Sequence, residues 1–194
     1  MKERLPQILP EHLRASVSKI TLTKNLADAA KSSDIVQECG PEDLSFKTSL
    51  WSKVEKSSLP DALFWTSTTA IPASPENQHM QDKSRVIVVH PFNPPHPTTS
   101  RDRSFAGHAA AGYRCNAEFW RDRGRELILI RKEINGFVAG RLAWSLLREA
   151  IHLVNEVIVT VEELDRIIET SMGLRWAYAG PFKSFNMGGR PGGL

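Results

Sequence analysis

The chain has 194 residues, of which 41% are hydrophobic and 24% charged, and its formal net charge is +3. This is enough for one sizeable packed domain, or for one domain with a smaller second one. Basic residues alternate with acidic ones, as at 121–123 and 131–133, so a solvated surface is favoured over a nucleic-acid-binding face.

Neither the cysteines nor the apolar runs indicate a metal site or a membrane protein. Cys39 and Cys115 stand outside any CxxC pattern and away from histidines at metal-ligand spacing, which favours thiols in a reducing compartment. No apolar run approaches the roughly 18 residues that a membrane-spanning helix needs. The first residues lack the apolar core of a signal peptide. We therefore expect a cytoplasmic protein that binds neither metal nor membrane.

The first 130 residues alternate between helical and strand-like segments. Helices are predicted at 9–20, at 26–30 and from 41 to 54, and strands at 21–23, 34–38, 62–66, 85–89 and 126–130. Pro41 and the acids beside it suit a helix start. Strands that are apolar on both faces and separated by helices indicate a parallel sheet. The segment 97–112 shows no period, which predicts an exposed loop.

The pattern changes near residue 131. Apolar residues at helical spacing predict a long helix over 137–157 and a second helix over 161–171, and no strand pattern follows. We therefore predict an α/β domain at 1–130 and an all-helical domain at 131–194.

Several polar residues stand where strands of this sheet would end. His90 follows the strand at 85–89, and ligands of open parallel sheets bind beyond the carboxyl ends of the strands. An imidazole there can act as a general base, although a structural histidine is the commoner case. Asn93 could hold a cofactor ribose or carboxamide, or simply form the Asn-Pro turn. The hydroxyls at 67–69 could hold a substrate, or belong to an ordinary loop.

Two glutamates stand at another crossing from strand to helix. Glu38 and Glu42 flank residues 39–41. A carboxylate there could accept a hydrogen bond from a ribose hydroxyl, and capping of the following helix explains the same residue type. The residues alone leave both alternatives open.

The order of these blocks resembles a known family. Asp-Ile-Val-Gln-Glu at 34–38 is followed by Pro-Glu-Asp-Leu at 41–44, Ser-Thr-Thr at 67–69, His-Pro-Phe-Asn-Pro-Pro-His at 90–96 and Glu-Ile-x-Gly-Phe-Val at 133–138. This series is similar to the 3-hydroxyacyl-CoA dehydrogenase superfamily, and its histidine block is most similar to the L-gulonate 3-dehydrogenase (lambda-crystallin) branch. The resemblance implies an incomplete Rossmann-type parallel sheet followed by an all-helical C-terminal domain.

The resemblance also implies roles for five residues. His90 matches the family's general base, and Asn93 and Thr69 match residues that contact the substrate. Glu42, Lys47 and Thr69 match positions that line the cofactor site. The implied cofactor is NAD, with NADP as the alternative. The implied substrate is a small 3-hydroxy acid or a 3-hydroxyacyl-CoA, as in fatty acid metabolism, and the helical domain implies a homodimer.

The sequence departs from the family pattern in ways that put activity in doubt. It contains no Gly-x-Gly-x-x-Gly after a strand, and its end falls before the end of the family's helical domain, so we interpret it as truncated. The place of the glutamate that pairs with the family's histidine falls on Asp102, in the atypical 97–112 segment. Gly140 stands where the family has a substrate-contacting asparagine. The alternative function is therefore a catalytically inactive relative that serves as a binding or regulatory protein, or a non-functional fragment.

Overall fold

The computed structural model describes residues 19–89, 104–107, 119–120, 122 and 126–189. The predicted helix at 9–20 lies almost entirely outside these residues, as do His90, Asn93 and Asp102. The chain divides into two compact units, residues 1–137 and 138–194.

The first unit is built on parallel strands. Its helices are α1 (Leu26–Ala30), α2 (Leu44–Ser57) and α3 (Ala73–Glu76), and its strands are β1 (Ile35–Glu38), β2 (Leu63–Thr66), β3 (Val86–Val88), β4 (Ser104–Gly107) and β5 (Glu126–Leu129). The first three strands form a parallel sheet in the order β1-β2-β3, and β4 pairs with β5, also in parallel. The predicted α/β parallel sheet is confirmed.

Both faces of the three-stranded sheet carry packed aromatic side chains. Consecutive side chains of β2 point to opposite faces, so Phe64 and Trp65 lie on different sides. The ring of Phe64 stacks on Trp51 of α2, with 5.4 Å between centroids. On the other face, the ring centroid of Trp65 lies 5.0 Å from that of Phe119 and 5.1 Å from that of Trp120. These aromatic contacts explain why the strand reads as a continuous apolar run.

A short 3-10 turn, Lys83–Arg85, leads into β3 and buries a guanidinium group. Nε of Arg85 donates to the carbonyl of Ala62 at 2.9 Å, and Nη2 donates to the carbonyl of Leu59 at 2.6 Å and to Oγ of Ser58 at 3.0 Å. The guanidinium also lies 4.2 Å from the centroid of the Phe64 ring. Arg85 therefore ties the start of β3 to the chain segment that enters β2.

Two predictions about strands are wrong. Residues 104–107 form β4, although 97–112 was predicted to be a loop, because the pairing with β5 comes from more than 20 residues further along and leaves no local period. Residues 21–23 form no strand, and the last of them, Thr23, hydrogen-bonds the cap of α1 instead. Oγ1 of Thr23 accepts from the Asn25 amide, and Oδ1 of Asn25 caps α1 by accepting from the amide of Ala27 at 2.9 Å.

Helix α2 begins later than its proline suggested. The first helical residue is Leu44, and the N-cap is Asp43, whose carboxylate accepts from the amide of Phe46 at 2.6 Å. Pro41 lies before the cap, and its carbonyl accepts from the Asp43 amide in a turn. The carboxylate of Asp43 satisfies a free amide of the first turn and so sets the start of the helix.

The second unit is helical in all its described elements. It contains α4 (Val138–Asn155), α5 (Val161–Thr170), α6 (Met172–Tyr178) and α7 (Pro181–Gly188). Helix α5 starts with a capping box, in which Thr160 and Glu163 each accept from the other's backbone amide. No residue of α4, α5 or α6 is buried.

The end of α4 has an unusual backbone. The amide of Ile158 donates to the carbonyl of Leu153, and the amide of Val157 donates to that of Val154, which is a Schellman motif. The left-handed residue of this motif is usually glycine, but here it is Val157, with φ 56° and a side chain that is 88% exposed. A β-branched residue is strained in this conformation.

Candidate functional site

The carboxyl ends of β1, β2 and β3 lie at one edge of the sheet because the strands are parallel. Glu38, the last residue of β1, is in register with Thr66, the last residue of β2, and Thr66 is in register with Val88. The backbone bonds continue past both strand ends, from the Ser67 amide to the carbonyl of Glu38 and from the Val89 amide to that of Thr66. This is the edge at which open parallel sheets bind ligands.

The residues that follow β2, Ser67–Thr68–Thr69–Ala70, are called the hydroxyl loop below. One carboxylate oxygen, Oε1 of Glu42, holds most of this loop. It accepts from Oγ1 of Thr68 at 2.6 Å, from the Thr69 amide at 3.1 Å and from the Ala70 amide at 3.0 Å. It also accepts from Oγ1 of Thr69 at 3.3 Å. Glu42 stands just before α2, so the β1–α2 crossing fixes the loop after β2.

These hydrogen bonds determine the ionisation of Glu42. Partial burial by itself would raise the pKa of this carboxyl. The bonds from Thr68, Ala70 and Thr69, together with the positive charge of Lys47, outweigh burial and lower the pKa of Glu42 below its ordinary value of 4.5. The group is therefore a carboxylate at neutral pH. Its second oxygen, Oε2, makes no hydrogen bond to any residue that the structure describes, and it can accept from a ligand hydroxyl.

Behind the loop, Lys47 and Glu38 form a buried ion pair. Nζ of Lys47 lies 2.5 Å from Oε2 of Glu38, and their side chains are 0% and 2% exposed. The same oxygen of Glu38 accepts from Oγ1 of Thr66 at 2.9 Å. Nζ of Lys47 also donates to Oγ1 of Thr66 at 3.3 Å and to the carbonyl of Ser67 at 3.4 Å. The pair thus reaches the first residue of the hydroxyl loop from inside the protein.

A second buried carboxyl lies on the inner side of this pair. Glu76, at the end of α3, is fully buried, and its Oε2 accepts from the indole nitrogen of Trp51 at 3.1 Å. Its Oε1 has no hydrogen-bond partner among the residues that the structure describes. Burial raises the pKa of Glu76, and the hydrogen bond from Trp51 and the positive charge of Lys47 offset only part of that rise.

The Glu-Ile-x-Gly-Phe motif holds the other end of the loop. The backbone amide of Gly136 donates to the carbonyl of Ala70 at 3.1 Å. The carboxylate of Glu133 accepts from the amide of Ser74 at 3.1 Å and from its hydroxyl at 2.5 Å, at the start of α3. The motif therefore fastens the segment after β2 to the chain just before residue 138.

The structure brings together some of the residues predicted to form the site. Glu42 and Thr69 are bonded to one another and both are exposed, whereas Lys47 lies buried behind them. His90 directly follows the described Val89, but it lies outside the described residues, as does Asn93.

Sequence reasoning missed the roles of Glu38 and Glu76. The Glu38 carboxylate neither caps a helix nor faces outward towards a ribose. It accepts from Lys47, from Thr66 and from the Gly40 amide. For Glu38 the available signal was a charged residue at the end of a largely apolar strand, whereas the polar segment around Glu76 carries no such signal.

The described residues contain no group of three or more His, Cys, Asp or Glu side chains that could hold a metal ion. Among the helices that the structure describes, none is both long enough and apolar enough to cross a membrane.

Two family models match most of the chain. Residues 3–99 match the NAD-binding domain of 3-hydroxyacyl-CoA dehydrogenase, and residues 136–190 match the C-terminal domain of the same enzyme. The two matches lie in the order that the sequence blocks predicted.

Similar proteins include a curated relative and two solved structures. An L-carnitine dehydrogenase of Streptomyces coelicolor is 34% identical over 93% of this chain and 57% of its own length. The structure of 5-formyl-3-hydroxy-2-methylpyridine 4-carboxylic acid 5-dehydrogenase, an NAD-dependent dismutase, is 26% identical, with a TM-score of 0.79 over 86% of this chain and 54% of its own. A 3-hydroxyacyl-CoA dehydrogenase of Archaeoglobus fulgidus is 25% identical, with a TM-score of 0.74 over 96% and 63%. The chain thus spans a little over half the length of the curated relative.

Proposed function

The chain belongs to the 3-hydroxyacyl-CoA dehydrogenase family, and from this premise we propose that it serves an NAD-dependent oxidation of a 3-hydroxyl group to a ketone. The observation that carries the proposal is the hydroxyl loop, which Glu42 fixes at the carboxyl edge of a parallel sheet. The loop leaves Thr69 exposed and next to an ionised carboxylate.

The residues at this edge fit one part of the cofactor. Oε2 of Glu42 is a charged acceptor without a partner among the described residues, and ribose hydroxyls are donors that suit it. Thr69 keeps a hydroxyl that can hold the nicotinamide or the substrate. Glu42, Lys47 and Thr69 are therefore the proposed cofactor side of the site, and NADP remains the alternative to NAD. When bound, the cofactor supplies the acceptor for the hydride.

The proton chemistry is assigned to His90. In the sequence His90 comes two residues after the end of β3, and in the proposed reaction its imidazole removes the proton of the substrate hydroxyl. Thr69 and Asn93 hold that hydroxyl group in place. We propose a small 3-hydroxy acid, such as L-carnitine, ahead of a 3-hydroxyacyl-CoA, in keeping with the curated relative.

The test is an NADH titration followed by fluorescence, and then a turnover assay with 3-hydroxy acids and 3-hydroxybutyryl-CoA. We expect saturable binding, and turnover that His90→Ala abolishes while NADH still binds. Thr69→Ser should retain turnover, and the nearly isosteric Thr69→Val should lose most of it. Normal turnover in His90→Ala would remove the assignment of the base.

A second candidate is an inactive relative that binds without turning over. The observation in its favour is Gly140, in α4, where the family has an asparagine that contacts the substrate. A glycine offers no side-chain hydrogen bond. Absence of turnover in the parent together with appearance of turnover in Gly140→Asn would favour this candidate over the active enzyme.

We also propose that the helical unit forms a homodimer. Large apolar side chains of α4 are exposed, among them Leu142 at 61%, Trp144 at 70% and Ile151 at 52%. Apolar surface of this extent favours association. Sedimentation velocity should show a dimer that Leu142→Glu dissociates, and a monomeric parent would contradict the proposal.

A further inference from the structure

The ammonium group of Lys47 uses all of its hydrogen-bond donors within the protein. A lysine side chain has three N–H donors. In the structure, Nζ of Lys47 donates to Oε2 of Glu38, to Oγ1 of Thr66 and to the carbonyl of Ser67. Its side chain is fully buried. All three donors are engaged inside the protein, one of them at the start of the hydroxyl loop.

Glu38 sets the position of that ammonium. Its Oε2 lies 2.5 Å from Nζ of Lys47 and also accepts from Oγ1 of Thr66. Its own backbone carbonyl accepts from the amide of Ser67 at 3.1 Å. The bond to the Ser67 amide belongs to the backbone, so the side chain of Glu38 acts on Ser67 only through Lys47, which donates to the Ser67 carbonyl. Ser67 is the residue from which the hydroxyl loop starts.

We propose that Glu38 is a positioning residue, which acts through Lys47 to fix the hydroxyl loop and thereby the hydroxyl of Thr69. This inference rests on the proposed function, because Thr69 is the loop residue assigned to substrate and cofactor. The loop is held from two sides. Glu42 holds residues 68–70 from the exposed side, and the Glu38–Lys47 pair holds residue 67 from the buried side. Lys47 thus contributes to the cofactor site from the buried side, by holding the first residue of the hydroxyl loop.

A purely stabilising role does not explain this arrangement. Burying two charges costs desolvation, and a packed apolar pair of similar volume is often as stable as a buried ion pair. What an apolar pair cannot supply is a directed donor to the Ser67 carbonyl. The geometry points to orientation of the loop as the property that the charges provide.

The test separates stability from positioning with a double variant. Glu38→Gln alone would leave a buried, unpaired ammonium and could prevent folding. Glu38→Gln with Lys47→Met removes both charges, keeps an acceptor for Thr66 and deletes the donor to Ser67. Glu76→Gln is the matched control, because it changes a carboxyl of the same buried cluster that makes no hydrogen bond to the hydroxyl loop.

Two readouts are compared with the parent and the control. The first is hydrogen exchange of the Thr69 and Ala70 amides, measured by NMR without cofactor. The second is the dissociation constant for NADH. In the double variant we expect cooperative unfolding within a few degrees of the parent, exchange of both amides about tenfold faster, and NADH binding about tenfold weaker. The control should match the parent in both readouts.

Unchanged exchange at both amides in the folded double variant would overturn the inference. Faster exchange with parental NADH affinity would overturn it as well, since the loop would then move without affecting the site. If the parent itself binds no NADH, it is the proposed function that fails, and the amide exchange alone decides whether Glu38 positions the loop.

Discussion

Thr69 is bound to Glu42 through both its backbone and its side chain, because the amide and Oγ1 of Thr69 donate to the same carboxylate oxygen at 3.1 and 3.3 Å. The backbone bond makes the position of the residue independent of its side chain. The side-chain bond orients the hydroxyl next to a negative charge. A proposed substrate contact is thus held by a residue that is itself proposed to contact the cofactor.

Glu42→Gln should weaken the hold on the loop without breaking it. A glutamine oxygen still accepts, but hydrogen bonds to a charged acceptor are roughly twice as strong as neutral ones. We expect weaker NADH binding and faster exchange of the Ala70 amide, with little change in global stability. A variant that matches the parent in both measurements would contradict the role given to the carboxylate.

The same carboxylate should respond to acid. The folded-state pKa of Glu42 is lowered, so its contribution to stability is fully present above its ordinary pKa of 4.5 and is lost as pH falls through the lower folded value. An NMR titration of the Ala70 amide from about pH 6 to 3 should show a transition with a midpoint below 4.5 in the parent. Glu42→Gln should lack that transition. A midpoint above 4.5 would show that burial outweighs the hydrogen bonds.

Glu76→Gln should stabilise the protein at neutral pH. The folded-state pKa of Glu76 is raised, so ionisation of the buried carboxyl costs stability above that pKa, and the cost disappears as pH falls towards 4.5. The amide keeps an acceptor for the Trp51 indole and carries no charge. We expect a gain of about 1 kcal/mol at pH 8 that shrinks at pH 5. Urea unfolding at the two pH values measures it, and a gain of equal size at both would contradict the ionisation of Glu76.

Arg85→Ala should be strongly destabilising. The change removes the donors to the carbonyls of Leu59 and Ala62 and the cation over the Phe64 ring. Leaving buried acceptors unsatisfied, together with the lost cation–π contact, should cost about 2–4 kcal/mol of unfolding free energy. Lys83→Ala, an exposed cation in the same turn, is the control and should change stability by less than about 0.5 kcal/mol. Similar effects of the two substitutions would contradict the role given to Arg85 in tying the start of β3 to the segment that enters β2.

Val157→Gly should stabilise the second unit, contrary to the usual effect of glycine. The φ of 56° strains a β-branched residue and suits glycine, and the side chain is 88% exposed, so little packing is lost. We expect a gain of about 1 kcal/mol. Val161→Gly makes the same chemical change at an exposed valine without a positive φ, the first residue of α5, and should cost about 0.5 kcal/mol at most. A loss of stability in both variants would show that position 157 is not strained.

The sequence predicted the parts of the fold that have a local signal. The strands that became β1, β2 and β3 were visible as short apolar runs, and the helices α4 and α5 as apolar residues at helical spacing. β4 was missed because its pairing with β5 comes from a distant part of the chain. Local periodicity carries no information about such a partner.

In the candidate site, too, the sequence predicted where residues lie along the strands and helices but not the contacts between their side chains. Glu42 and Thr69 could be placed at neighbouring strand ends from the sequence, since parallel strands end at one edge. Four donors share one Glu42 oxygen, and Lys47 is buried against Glu38, because side chains of different elements approach to between 2.5 and 3.3 Å. No sequence pattern contains that information. His90 and Asn93 stay predictions from the resemblance.

The two backbone amides that donate to Glu42 have a consequence for engineering. Their hydrogen bonds, from Thr69 and Ala70, do not depend on which side chains these residues carry. Substitutions at position 69 should therefore leave the course of the loop unchanged, so that their effects on turnover and substrate preference report on the side chain alone.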